Sequence, residues 1–174
     1  QYVDKDNGGF QGAPKFPQFY IFETLLYFYL KNKNKNFLDP VKNLLKNISS
    51  KGIYDHLDGG ISRYTVDEKW IVPHFEKMLY DNILFVKILN IFVNYSKDKY
   101  FKNKLSQTIN FINSDFKNKN NLLGSAYDAD SEGVEGKFYT WKYEELKNIL
   151  ENDFDLLKKK YEISESGNFE GLNI

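Results

Sequence analysis

The chain has 174 residues, 41% of them hydrophobic and 17% aromatic, which excludes a disordered chain and allows one domain with a real core. Lys plus Arg and Asp plus Glu number 24 each, so there is no net field for a phosphate backbone or an anionic bilayer, and neither nucleic acid nor a membrane is an expected partner. Cysteine is absent, which excludes disulfides, thiolate nucleophiles and cysteine-bearing zinc sites and fits a reducing, cytoplasmic location.

The sequence opens on a Gly-rich, aromatic loop, Gly8 to Pro17, and both of its ends read as cuts in a longer protein. Phe19 to Leu30 is apolar on nearly every side, which predicts an inner helix packed all round. It is shorter than the roughly 20 residues of a membrane span and contains Glu23. Leu38 to Ser50 carries one apolar stripe (Leu38, Val41, Leu44, Leu45, Ile48), with Asp39 as expected N-cap and Pro40 as first helical residue, and reads as a surface helix. A second Gly-rich loop, Gly52 to Pro73, leads into a second inner helix predicted over His74 to Tyr95. A striped outer helix follows from Lys99 to Phe116, capped near Ser96 or Asp98.

After a third loop, Gly124 to Tyr139, one further helix is predicted from about Trp141 to Lys160. Glu144 and Glu145 stand in its first turn and Lys158 to Lys160 in its last, the charge order that suits the helix dipole. Gly-Gly followed by Pro and Glu recurs as Gly8-Gly9 to Pro17 and Glu23, and as Gly59-Gly60 to Pro73 and Glu76, an approximate internal repeat. Helix pairs presenting equivalent loops at one end describe an all-α solenoid or a closed toroid with the loops at a common mouth.

Three blocks, GGFQGAPKFP (Gly8 to Pro17), GGISRYTVDEKWIVPHFEKMLYDN (Gly59 to Asn82) and SAYDADSEGVEGKFYTW (Ser125 to Trp141), with GNFEG at Gly167 to Gly171, resemble the spermatogenesis-associated, thioredoxin-domain-containing proteins. The resemblance implies a partial (α/α)6 toroid related to N-acylglucosamine 2-epimerases and cellobiose 2-epimerases. It also implies a thioredoxin-like domain elsewhere in the same parent chain as a partner. Residues 1–174 would then be one partial toroid domain. The family usually reads HLGGGF here and often carries His beside the Arg; Asp58, Ile61 and Ser62 stand at those positions.

Four residues are candidates for proton transfer. His74, at the start of the predicted inner helix, would have its imidazolium disfavoured by the dipole and so could act as a base. Glu76 and Asp81 on the same helix start would orient it, and His56 on the preceding loop is the other imidazole. Together they could remove and return a proton beside a sugar carbonyl; the alternative is a buried polar network that pins the loop to the helix. Asp55, Arg63, Tyr64, Asp67 and Trp70 have the composition of a sugar-lined loop, with charged groups for hydroxyls and flat rings for the apolar sugar face. The alternative is a rigid loop in which Arg63 pairs with Asp67 or Asp55.

Asp128, Asp130, Glu132 and Glu135 form the densest acidic group. Its first residues resemble a calcium loop, but Tyr139 stands where the bidentate Glu is needed. Asp128, Asp130 and Glu132 are therefore candidates for substrate contact, with Trp141 beside them, or for turn formation; paired carboxylates could also hydrolyse a glycoside. No P-loop, dinucleotide fingerprint or HExxH occurs, so neither a cofactor nor a metal is expected. The expected function is a carbohydrate-active domain of the 2-epimerase kind acting on a sugar or small polar ligand. The alternatives are a non-catalytic binding scaffold and a glycoside hydrolase.

Overall fold

The computed structural model describes residues 2–174, which form two compact units, residues 2–129 and 130–174. In the first unit α1 (Phe19–Asn32) pairs with α2 (Lys35–Ser50), and α3 (Leu79–Ser96) pairs with α4 (Lys99–Phe111). α1 also packs on α3, so the two hairpins lie side by side. Phe22, Leu26, Val41, Leu44, Leu45, Ile48, Phe85, Ile88 and Leu89 are closed off from solvent between the helices. The stripe at Val41, Leu44, Leu45 and Ile48 is the one its periodicity predicts.

Helix ends follow the local caps. Asn34 accepts the Asn36 N–H at 3.0 Å, so α2 begins one turn before the Asp39-Pro40 start that the sequence offers, and Pro40 lies inside the helix. Asp98 accepts the Tyr100 N–H at 2.8 Å and starts α4. The predicted outer helix to Phe116 is α-helical only to Phe111 and finishes as a π-helical turn, Ile112–Phe116. The predicted inner helix from His74 is shorter than its pattern: the residues before α3 are not helical, Phe75 turns the chain at φ 62°, β1 (Lys77–Met78) pairs antiparallel with β2 (Ala126–Tyr127), and Met78 is the N-cap. The apolar residues Phe75 and Met78 extend the hydrophobic run without being helical.

Two equivalent clips hold the loops against the helical hairpins. In the first, Asp4 and Gly8-Gly9 exchange backbone bonds (Asp4 N–H to Gly9 O 2.9 Å, Gly8 N–H to Asp4 O 3.0 Å); in the second, Asp55 and Gly59-Gly60 do the same at 3.0 Å each. Each aspartate also accepts two N–H groups of its own turn, from Asp6 and Asn7 or from Leu57 and Asp58. Each is bound by a buried lysine, Lys15 at 2.6 Å and Lys77 at 2.7 Å. A Cβ on Gly8 would lie 2.7 Å from the α2 backbone at Leu44, and one on Gly59 2.9 Å from the α4 backbone at Gln107. The repeat is therefore Asp-x-x-x-Gly-Gly with a lysine further on. Glu23 and Glu76 are not equivalent in it, since Glu23 lies in α1 and Glu76 in the loop before α3.

The second unit holds the hairpin of β3 (Asp130–Ser131) and β4 (Val134–Glu135), then α5 (Tyr143–Leu150) and α6 (Phe154–Tyr161). The single helix predicted over Trp141 to Lys160 is interrupted at Glu151, whose φ of 44° ends α5, and a 3₁₀ turn leads into α6. No helix among the described residues is long and apolar enough to cross a membrane.

Candidate functional site

Backbone pairing assembles three loop segments of the first unit into a small sheet-like patch. Lys15 pairs with Thr65, and Thr65 with Pro73, both antiparallel, so the 63–66 segment runs between the other two. Lys15, Thr65 and Pro73 point into the protein and are buried. Side chains alternate along extended backbone, so their neighbours Phe16, Tyr64 and His74 point the other way and meet as a row. Phe16 stacks on Tyr64 with centroids 4.7 Å apart and planes at 29°, and Tyr64 stacks on His74 at 4.7 Å and 17°. The His74 N–H donates to the Tyr64 carbonyl at 3.1 Å.

Beside this row, the Arg63 N–H donates to the Glu76 carbonyl at 2.9 Å and Arg63 Nη1 lies 3.3 Å from Glu76 Oε2. The hydrogen bond to Glu76 holds the guanidinium pKa above its ordinary value. Asp81, in the first turn of α3, is the third charged group. Burial pushes its carboxyl up to about 6, against the attraction of Arg63 and the hydrogen bond of Tyr80, with Glu76 adding repulsion. Among the described residues, Arg63 Nε and Asp81 Oδ2, like Ser49 Oγ in α2, are buried without a hydrogen-bond partner.

The structure brings together four of the predicted residues, Arg63, Tyr64, His74 and Glu76, with Asp81 at their edge. His74 is not at a helix start: it lies five residues before α3, so the dipole argument does not apply to it. Tyr64 has a neighbour on each ring face, and the ring left exposed at the end of the row is Phe16 at 37%. Neither Phe16 nor Tyr80 is among the residues the sequence singles out. Phe16 could have been found, because it alternates with Lys15 and Pro17 within the first matching block.

The other predicted loop residues serve the fold. Trp70 has no exposed surface, its Nε1–H donates to the Asn7 carbonyl at 2.9 Å, and Lys15 lies over its ring. It is a core residue rather than a sugar platform. The Asp67 carboxylate accepts the N–H groups of Lys69, Ile71 and Val72, so it shapes its own turn instead of meeting Arg63. Asp55 belongs to the Lys77 clip. His56 Nε2 is 3.1 Å from the Lys51 carbonyl and its ring meets Tyr54 edge-on.

Asp128 is exposed at the end of the first unit. In the second unit Asp130 stands opposite Glu135 in the hairpin, and Glu132, at its turn with φ 55°, pairs with Lys137. Trp141 is half-buried and exchanges two backbone hydrogen bonds of 2.8 Å with Asn173. No group of three or more His, Cys, Asp or Glu arranged for a metal ion occurs among the described residues.

No family model matches the sequence. The chain is 31% identical to rat (Rattus norvegicus) spermatogenesis-associated protein 20 over 185 aligned residues, covering 95% of this chain and 23% of that protein. It thus spans about a quarter of the length of the curated relatives it matches. Among solved structures, the cellobiose 2-epimerase of Spirochaeta thermophila superposes with a TM-score of 0.64 at 19% identity, covering 74% of this chain and 35% of that one. A sugar epimerase from a ruminal bacterium gives 0.64 at 17% identity, covering 92% and 49%. Over nearly its whole length the chain is similar to one part of spermatogenesis-associated protein 20, and its fold is the all-α fold of the sugar-epimerase toroids.

Proposed function

We propose that the patch formed by Phe16, Arg63, Tyr64, His74 and Glu76 is part of a sugar site of the 2-epimerase kind, with His74 as the proton-transfer residue. The observation that carries this is the row Phe16–Tyr64–His74, which sets an imidazole at one end of an aromatic strip and an exposed ring at the other. Aromatic rings suit the apolar face of a sugar, and charged groups beside them suit its hydroxyls. Likeness of fold to sugar epimerases supports the substrate class.

In this mechanism His74 takes the proton from the carbon beside the sugar carbonyl. The C–H electron pair moves into an enediolate whose charge rests on the former carbonyl oxygen, with Arg63 close by as a cation. A proton delivered from solvent water to the opposite face of that carbon, while the proton held by His74 passes to solvent, gives the epimer, with no net oxidation and no co-reactant. Glu76 positions Arg63 through the ion pair. A thioredoxin-like domain of the same parent chain is the partner proposed for this domain.

The test is NMR-detected exchange of solvent deuterium into aldoses and disaccharides by the full-length protein and its His74→Ala variant. Exchange at the carbon beside the carbonyl, lost in His74→Ala, is the expected result. Sugar binding without exchange would replace the enzyme by a binding scaffold, and glycoside cleavage that depends on carboxylates alone would replace it by a hydrolase.

A further inference from the structure

The backbone pairing beneath the Phe16–Tyr64–His74 row changes register by one residue at Arg63. Thr65 stands opposite Pro73, the Val66 N–H donates to the Val72 carbonyl at 3.0 Å, and the His74 N–H donates to the Tyr64 carbonyl at 3.1 Å. These bonds share one antiparallel register, which continued by one step would set Arg63 against Phe75. The Arg63 N–H donates instead to the Glu76 carbonyl at 2.9 Å. Phe75 is therefore one residue in excess on its strand, a β-bulge.

The bulge takes the form of a tight turn. The Glu76 N–H donates to the His74 carbonyl at 2.9 Å across Phe75, whose φ is 62°, which is the strained kind of γ-turn. A bulky side chain rarely adopts left-handed backbone. Residues held there persist only where their surroundings fix them, and they gather at functional sites. Phe75 is fixed by burial, with 1% of its surface exposed. The register change has a chemical consequence, because it brings Glu76 rather than Phe75 opposite Arg63, where Glu76 Oε2 lies 3.3 Å from Arg63 Nη1.

We infer that Phe75 is a positioning residue: the bulge it makes between His74 and Glu76 aims Glu76 at Arg63 and so holds the guanidinium beside the imidazole. This rests on the roles given to His74 and Arg63 above and adds to them a residue that touches neither substrate nor reacting atoms.

Leucine and isoleucine are isomers, and only isoleucine is branched at Cβ, where a positive φ is resisted. The experiment measures solvent-deuterium exchange over a range of sugar concentrations for full-length Phe75→Leu and Phe75→Ile, with melting curves, and adds Glu76→Gln to each. Phe75→Ile should lower the saturated rate about tenfold or more below that of Phe75→Leu, with KM little changed, since a misplaced group is felt in the transition state. Glu76→Gln should be costly beside Phe75→Leu and add little beside Phe75→Ile, where Glu76 is already misdirected. Phe75→Val, β-branched but smaller, covers the case in which Phe75→Ile fails to fold. Equal saturated rates for the leucine and isoleucine variants, a loss confined to KM, or additive losses with Glu76→Gln would overturn the positioning role, while exchange that still depends on His74 would leave the site standing. A crystal structure of the full-length protein with Arg63 opposite Phe75 would overturn it as well. Absence of exchange into every sugar by the unaltered protein would overturn both the role and the function it rests on.

Discussion

Lys77 Nζ lies 2.7 Å from Asp55 Oδ2 with 2% of the lysine side chain exposed, and Lys15 stands in the same relation to Asp4. Burial depresses the Lys77 pKa, and the Asp55 carboxylate opposes that shift. Removing the carboxylate therefore takes from a buried ammonium its hydrogen-bonded carboxylate, the costly half of breaking such a pair. Asp55→Asn is expected to destabilise the protein by roughly 3 kcal/mol. Lys77→Met should cost less, because Asp55 keeps its two turn N–H donors, and the double variant should recover part of the Asp55→Asn loss. Urea unfolding of the two single variants and the double measures this as a cycle. A coupling below about 0.5 kcal/mol would show that the pair is incidental.

The two clips also predict how glycine substitutions rank. Gly59 has φ 92° and its Cβ position is 2.9 Å from the Gln107 carbonyl oxygen, whereas Gly12, at φ 103°, has nothing within 4 Å. Both positions strain an L-residue, but only Gly59 adds an overlap with backbone that cannot step aside. Gly59→Ala should cost about 2 kcal/mol or more and Gly12→Ala distinctly less. Gly8→Ala should match Gly59→Ala, since its Cβ meets the α2 backbone. Equal melting temperatures for Gly12→Ala and Gly59→Ala would contradict the close approach.

Most of this frame is legible in the sequence and most of the site is not, for one physical reason. Helical periodicity and the spacing of Leu44, Leu45 and Ile48 report on contacts within one element. The row Phe16–Tyr64–His74 depends on three segments whose pairing no local pattern specifies. Asp55, Asp67 and Trp70 show the ambiguity directly: their composition suits a sugar, yet all three are used up by Lys77, by turn amides and by the core. A signal for Asp55 was present, because Asp-x-x-x-Gly-Gly occurs at residues 4–9 and again at 55–60. His74 was recognisable as a candidate, but its place on extended backbone is hidden by Phe75 and Met78, which prolong the apolar run of α3.

Two aspartates give the stability curve opposite slopes. The Asp4 carboxyl is raised by burial but lowered more by the Asn7 N–H and the Lys15 ammonium, ending at about 2 against an ordinary 3.8. Its contribution, about 2 kcal/mol, is complete above the ordinary value and lost as pH falls through about 2. Asp81 is the reverse. Burial raises it from 3.8 to about 6, with Arg63, Tyr80 and Glu76 as the groups facing it. The folded state favours the protonated acid, so its penalty is absent below about 4, grows as pH rises through about 6 and is complete above that. Asp81→Asn should therefore stabilise the protein at pH 8 by about 1–2 kcal/mol, after allowance for partial exposure, and leave it unchanged at pH 4. Chemical denaturation at the two pH values reads the difference. A gain of equal size at both would assign the effect to packing rather than to the buried charge.

The helix that is apolar on nearly all sides also leaves large aromatic side chains exposed. Tyr20, Tyr27 and Phe28 of α1 are 59%, 52% and 48% exposed, and Tyr20 and Tyr27 are seven residues apart, which puts them two turns apart on one face. A face of this kind drives association when nothing covers it. The 174-residue chain by itself is expected to self-associate at micromolar concentration, and Tyr20→Lys with Tyr27→Lys should shift it toward monomer without loss of helical circular dichroism. Sedimentation velocity over a dilution series separates the cases. A monomer at about 100 µM in the unaltered chain would mean that these tyrosines tolerate water as single exposed residues do. Association that survives the double substitution would move the contact to other apolar surface, of which Ile83 of α3, at 44% exposed, is the nearest candidate in the neighbouring hairpin.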